Sequence, residues 1–380
     1  MKVLHLVGHL GIGGDSSVIF AVMSSLKEED IEFGFITHEG YDPNVVKQLR
    51  SKGIDIYILQ GDVRQLGAVK YYTEIKSLLR RLKSQSKCDF LHVHTALQSG
   101  IALAAAKHVG ISHRICHAHT TNILRGASRL QLMTVVPLLS WCVNHYSTCR
   151  VACGKAAGRF LFGTSRDFHI IYNGIDMQAY RGVTKAHVAS LKNELGINSN
   201  QIVVGHVGRF VDVKNQSYIL KLAEITDERY VFVMVGEGET FERIKSSISK
   251  YSGRVILPGK RSDIPVFMRM FDCLLLPSLG EGFALAIIEA QAAGCKCIAS
   301  THVPEESDLG LGLVEYVSLS DIEQWKSKIE VISAHQSFEQ RNSYASSVED
   351  AGFDSSQSYK KWIEIYRGCI QYGRKNGEYN

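Results

Sequence analysis

The chain has 380 residues, longer than the size at which one hydrophobic core usually stops growing, so two domains are expected. At 45% hydrophobic and 21% charged it lacks the low hydrophobicity and high charge of a disordered chain. Nine cysteines with no C-x-x-C pair suit reduced thiols in a cytoplasm better than a disulfide framework. The net charge is only +5, but no acid interrupts residues 90–166, which hold Lys107, Arg114, Arg125, Arg129, Arg150, Lys155, Arg159 and Arg166. With the basic stretch Lys70–Lys87 upstream, this implies a cationic first half and peripheral contact with anionic membrane. Nucleic acid is not expected, because no aromatic-basic motif accompanies the charge.

The opening MKVLHLVGH is too short for a secretory apolar region and reads as a first strand, Lys2–Val7, leading into a glycine-rich loop with Gly13 and Gly14. Adjacent glycines there let backbone N–H groups approach an anion at the start of the next helix. The loop does not match G-x-G-x-x-G and no ribose-binding acid follows it, which discounts a dehydrogenase. Further strands are expected at Glu32–Thr37, Asp55–Leu59, Phe90–His94, Arg114–His119 and Arg150–Cys153, separated by stretches of helical periodicity. The apolar segment Leu130–Val143 is interrupted by Gln131, Pro137 and Ser140 and falls short of the ~18 residues a spanning helix needs. His92 with His94, and His117 with His119, each put two imidazoles on one strand face. No acidic or thiol ligand shares those strand faces to complete a tetrahedral site, so no metal is expected.

An Asn-Gly turn in IIYNGID closes the first half, and a second series of strands follows at Gln201–Val207, Tyr230–Val235, Arg254–Leu257, Asp272–Leu276 and Lys296–Ser300. The pattern is α/β, with two Rossmann-like domains. The expected division is residues 1–172, an acceptor-binding domain, and 173–355, a donor-binding domain. Residues 356–380 form a helix that must dock back to cover Trp362 and Ile365, toward the first domain.

In doubly wound sheets the loops after the strands carry the chemistry. Gly208 ends a strand and is followed by Arg209 and Lys214, two cations suited to a diphosphate: Arg forks onto two oxygens, Lys acts as a point charge, and both stabilise a leaving group. In PSLGEGFALAIIEAQAAG, Glu281 precedes a helix expected from about Phe283, and Glu289 lies eight residues on. Eight steps of ~100° return a helix to within ~80° of its start, so both carboxylates can face one ligand. The N–H groups of Phe283, Ala284 and Leu285 at the helix start are expected to hold phosphate. No aspartate has another two positions away, so a DxD metal clamp is absent and leaving-group charge falls to Arg209, Lys214 and helix N-termini.

Taken in order and spacing, Gly13-Gly14, NGID, Gly208-Arg209 with Lys214, VGEG at Val235–Gly238 and the E-x7-E element resemble the retaining GT-B glycosyltransferases of family four, closest to those of capsular and exopolysaccharide assembly. The resemblance implies a GT-B fold of two Rossmann-like domains facing across a cleft, and a metal-independent, retaining hexosyltransferase. Its donor would be a nucleotide-diphosphate sugar, UDP-sugar by family habit, and its acceptor a glycan or lipid-linked glycan. It further implies Arg209 and Lys214 on the diphosphate, Glu289 on the ribose, and Glu281 with Phe283 and Ala284 near the transferred sugar. Gly14 would lie beside the phosphate and His119, with His117 as rival, over the hexose. Gly13, Gly208, Gly259, Lys260, Arg261 and Leu285 complete the expected donor contacts. The chain departs from the family pattern at Asp15-Ser16-Ser17, Gly154 and Gly280. An epimerase on nucleotide sugars and a non-catalytic partner subunit are the rival readings, and the intact Arg209, Lys214, Glu281 and Glu289 argue against the second.

Overall fold

The structure, a computed structural model, describes residues 1–11, 31–38, 41–120, 129–251, 253–331 and 337–375. It divides into two compact units, one formed by Met1–Gly174 with Ser355–Asn380 and the other by Ile175–Asp354.

The first unit is built on seven parallel strands: β1 (Lys2–Val7), β2 (Glu32–Thr37), β3 (Asp55–Ile58), β4 (Phe90–Val93), β5 (His113–Ala118), β6 (Cys149–Ala152) and β7 (His169–Ile170). Their order is β3-β2-β1-β4-β5-β6-β7, so the direction of winding reverses between β1 and β4, the place where α/β sheets bind ligands beyond the strand ends. Strands buried on both faces explain the continuous apolar runs. The helix Ala68–Ser84, with Tyr71, Ile75, Leu79 and Leu82 turned inward, packs on Ser99–Val109, which packs in turn on Arg129–Tyr146. The C-terminal helix Ser355–Lys375 belongs to this unit, and its Trp362, Ile363 and Tyr366 are buried with Val3, Phe35, Phe90 and Ile115.

Arg114 does not join the surface cations. It is 7% exposed, and its guanidinium donates to the carbonyls of Tyr146 (2.7 Å), Ile111 (2.6 Å) and Ser112 (2.9 Å), closing the loops around β5. Leu130–Val143 does form a helix, but its Met133, Leu138 and Trp141 are 69%, 60% and 54% exposed, so that face is not core.

The second unit has six parallel strands: β8 (Ile202–Val207), β9 (Tyr230–Val235), β10 (Val255–Gly259), β11 (Cys273–Leu276), β12 (Lys296–Ser300) and β13 (Val314–Val317), in the order β10-β9-β8-β11-β12-β13. Here the reversal falls between β8 and β11. The sequence reading gives no ranges for the two-residue β7 or for β13, whose Val-Glu-Tyr-Val is short and broken by a charge; pairing of Cys297 with Val314 along β12 makes the latter a strand. Trp325, Phe232, Phe210, Leu275 and Ile298 fill the core.

Candidate functional site

The strand-end loops of the second unit are stitched together by their own backbones. Gly208 N–H donates to Val235 O (3.1 Å), Phe210 N–H to Glu237 O (2.8 Å) and Gly236 N–H to Gly259 O (2.9 Å). Gly236 has φ +137°, and a Cβ there would lie 2.1 Å from the carbonyl oxygen of Gly208, so VGEG can lie flat on the β8 end only as glycine.

Lys214 ends a short 3-10 turn, Asp212–Lys214, stopped by Asn215 in the left-handed conformation (φ 55°, ψ 43°). The Asn215 amide donates to Pro277 O (3.1 Å) and Leu279 N–H to Val213 O (2.8 Å), which ties this turn to the loop carrying Glu281. The Lys214 ammonium then meets Glu281 Oε1 at 2.6 Å, and Ser278 Oγ donates to the same oxygen at 2.7 Å. The side chains are 22% and 10% exposed, so the pair is screened far less than a surface ion pair.

Glu289 sits on the helix Leu285–Ala292, accepts a hydrogen bond from Tyr180, and feels the charge of Lys214. Burial raises its carboxyl to about 7, against the downward pull of both neighbours. Lys214 is therefore paired with Glu281, and its charge is felt at Glu289, the other carboxylate of the E-x7-E element. Tyr180, from the helix Met177–Arg181, carries no local motif and was missed by the sequence reading. Ser278 and Asn215 were missed too, although Asn is among the few non-glycine residues that tolerate the left-handed region.

Arg209 is exposed, and its carbonyl is held by Gln216 Nε2 at 3.0 Å. The helix begins at Leu285, later than expected, and two of the three amides expected to hold phosphate are already engaged: Ala284 N–H donates to Ser307 Oγ (3.0 Å) and Leu285 N–H to Phe283 O (3.2 Å). Phe283 stacks on Phe353 at 5.7 Å between centroids. Lys260 is exposed, whereas Arg261 is turned to Glu194 (2.6 Å) and Asp263 (2.8 Å). Gly259, at φ 76°, closes β10 against the glycine loop. Gly13, Gly14 and Asp15-Ser16-Ser17 lie outside the described residues, as does Arg125.

In the first unit the register of β1 on β4 pairs His5 with His92, and alternation puts His94, His117 and His119 on the same side. The result is a run of contacts: His92 Nδ1 with Tyr366 OH (2.8 Å), Tyr366 OH with His5 Nε2 (3.4 Å), His5 Nδ1 with His94 Nε2 (3.1 Å), and His94 Nδ1 with His119 Nε2 (2.8 Å). His117 packs on His119, ring centroids 3.8 Å apart, and on Trp362 at 4.9 Å. Burial holds His5 down to about 3 and His92, His94 and His117 well below the usual imidazole range, so these rings are neutral at pH 7. His119, at the mouth of β5, is half-buried while His117 is fully buried. The sequence spacing showed two His pairs but not His5, which only strand pairing brings in.

Two parallel Rossmann-like sheets, each reversing at its centre, define the GT-B class, and comparison with known proteins agrees. Residues 12–179 match the Glycosyltransferase Family 4 family and residues 188–337 the Glycosyl transferases group 1 family. EpsF of Bacillus subtilis is 30% identical over 378 residues, covering 96% of each chain. The UDP-Gal:alpha-D-GlcNAc-diphosphoundecaprenol alpha-1,3-galactosyltransferase of Escherichia coli is 27% identical over 71% of this chain and 74% of its own. The capsular polysaccharide biosynthesis glycosyltransferase CapH of Staphylococcus aureus is 22% identical over 96% of this chain and 98% of its own. HepE of Anabaena, crystallised with UDP-glucose, superposes with a TM-score of 0.76 at 19% identity over 97% of this chain and all of that one. The chain belongs to the family-four glycosyltransferases.

Proposed function

We propose that the protein moves a hexose or N-acetylhexosamine from a UDP-sugar to a glycan or lipid-linked glycan in cell-surface polysaccharide assembly, with retention at the anomeric carbon and without a metal ion. The observation that carries this reading is the Lys214 ammonium, fixed on a turn after β8, paired with Glu281 and felt electrostatically by Glu289. A partly buried cation at a Rossmann switch point, with exposed Arg209 beside it in sequence, supplies the charge a departing diphosphate needs. Glu289, steadied by Tyr180, is suited to accept from a ribose diol, and Glu281 to hold the transferred sugar. Both carboxylates are engaged by neighbours, which suits holding hydroxyls better than attacking an anomeric carbon. Retention is therefore assigned to a front-face route in which the departing phosphate takes the acceptor proton, with His119 against the hexose, as in the family. UDP is favoured because the E. coli relative is named for UDP-Gal and HepE was crystallised with UDP-glucose.

Among the described residues no helix is long and apolar enough to cross a membrane. A lipid-linked acceptor would instead be met at the surface of the three-helix layer. Exposed Met133, Leu138 and Trp141 there share a unit with exposed Lys70, Arg80, Arg81 and Lys107, the mixture an anionic interface attracts.

Substitution at the cation tests the site. Lys214→Ala and Arg209→Ala are each expected to lower turnover about 10²-fold or more with folding intact, because each removes charge stabilisation from the leaving group. Near-wild-type rates in both would sink the assignment.

A further inference from the structure

Buried imidazole nitrogens ordinarily find partners, because an unpaired buried polar atom costs on the order of 1–3 kcal/mol. His117 breaks this rule twice over: it is 0% exposed, and among the described residues neither ring nitrogen has a hydrogen-bond partner. The same side of β4 and β5 holds His94 and His119, and one nitrogen from each of the three lies within 4.8 Å of the others.

We propose that His94, His117 and His119 form a three-histidine site for a borderline dication, Zn²⁺ first, in the first unit. Three neutral imidazoles with one open position are a known ligand set for zinc, at ~2.0–2.1 Å from each nitrogen. His94 Nδ1 and His119 Nε2 already point at each other across 2.8 Å, with a single proton to share. A metal takes the place of that proton once His119 adopts the tautomer protonated at Nδ1, so three neutral rings bind and no proton need leave. For His94 the supporting contacts are already in place: ligating through Nδ1, it donates its Nε2–H to His5 Nδ1 (3.1 Å), and His5 Nε2–H in turn reaches Tyr366 OH (3.4 Å). Bound imidazoles characteristically donate their other N–H in this way.

A second trio, His5, His92 and His94, is as close-set, but a metal there would have to break the His5–His94 bond and the contacts to Tyr366. It also lacks a route in, since its three rings are at most 7% exposed, whereas His119 is half-buried. The site is no cofactor for transfer. If His119 contacts the hexose, as proposed above, zinc removes it from that task and inhibits; metal binding itself stands whether or not that reading holds.

The experiment uses the full chain, stripped with chelator and titrated with Zn²⁺, with bound metal counted after gel filtration. X-ray absorption of the zinc-loaded wild type is expected to show imidazole nitrogens at ~2.0–2.1 Å and no sulfur. One equivalent is expected in wild type and in His92→Phe, none in His117→Phe, and binding weakened about 10–100-fold in His5→Phe. Circular dichroism checks that each variant folds, and the absorption spectrum needs no variant. No equivalent bound by wild type, retention of it in His117→Phe, its loss in His92→Phe, or a sulfur shell would each overturn the assignment. Activity is not the readout, so failure of the transferase reading would leave this result untouched.

Discussion

The carboxyl of Glu289 is held up to about 7, chiefly by burial, although Tyr180 donates to it and Lys214 is near. If its ionised form is the one that accepts from a ribose diol, donor affinity follows the ionised fraction. With a value near 7 that fraction is about 0.1 at pH 6 and about 0.9 at pH 8, a rise of roughly tenfold, or ~1.4 kcal/mol of binding. The assay is calorimetric titration with a UDP-sugar, whose diphosphate diester does not titrate in this range, at pH 6, 7 and 8. Glu289→Gln is expected to bind more weakly than wild type at pH 8 and to give a flat profile. The sign for stability is opposite. A carboxyl raised from 4.5 holds its proton more tightly folded than unfolded, so its contribution is complete below pH 4.5 and is lost as pH climbs through about 7. A flat profile in wild type, or the same slope in Glu289→Gln, would refute the role given to this residue.

Activity is expected to survive EDTA, because Arg209 and Lys214 already supply the leaving-group charge; turnover abolished by chelation and restored by Mn²⁺ or Mg²⁺ would contradict this. Gly236→Ala places a methyl 2.1 Å from the Gly208 carbonyl, so the second unit is expected to lose about 1–3 kcal/mol of stability, with weaker nucleotide binding. Thermal unfolding with and without UDP measures both, and an unchanged midpoint would show that the loops yield freely. Vesicle co-sedimentation should show binding to anionic but not neutral liposomes, weakening as salt rises over the ~10 Å screening length at 0.1 M, and reduced in Trp141→Ser. Equal binding to both lipids, or none to either at low salt, would show the basic helices to be only a solvated surface.

Most of the architecture was legible in the sequence because it rests on local signals. Parallel strands covered on both faces need continuous apolar runs, and glycines or turn residues must end them, so eleven of the strands can be read from the chain. The edge strand β13 has no such run and exists through its pairing with β12. Lys214 and Glu281 likewise stand out, because charged residues in glycine-marked loops after strands have a short list of uses, and Glu289 stands out by its eight-residue spacing from Glu281. Contact between residues remote in sequence is another matter. That Lys214 bonds to Glu281, that Tyr180 steadies Glu289, that Arg261 is taken by Glu194 and Asp263, and that the Ala284 amide is held by Ser307 all depend on which loops pack together. Arg114 looks like one more surface cation in the chain, yet carbonyls from two loops draw it inside. The histidines show the division most sharply: strand alternation sets His92 with His94 and His117 with His119, whereas the β1–β4 register adds His5 and the C-terminal helix closes the cluster with Tyr366. Periodicity orients a side chain relative to its own strand, but only the order and register of the sheet decide which side chains share a face and lie within bonding distance.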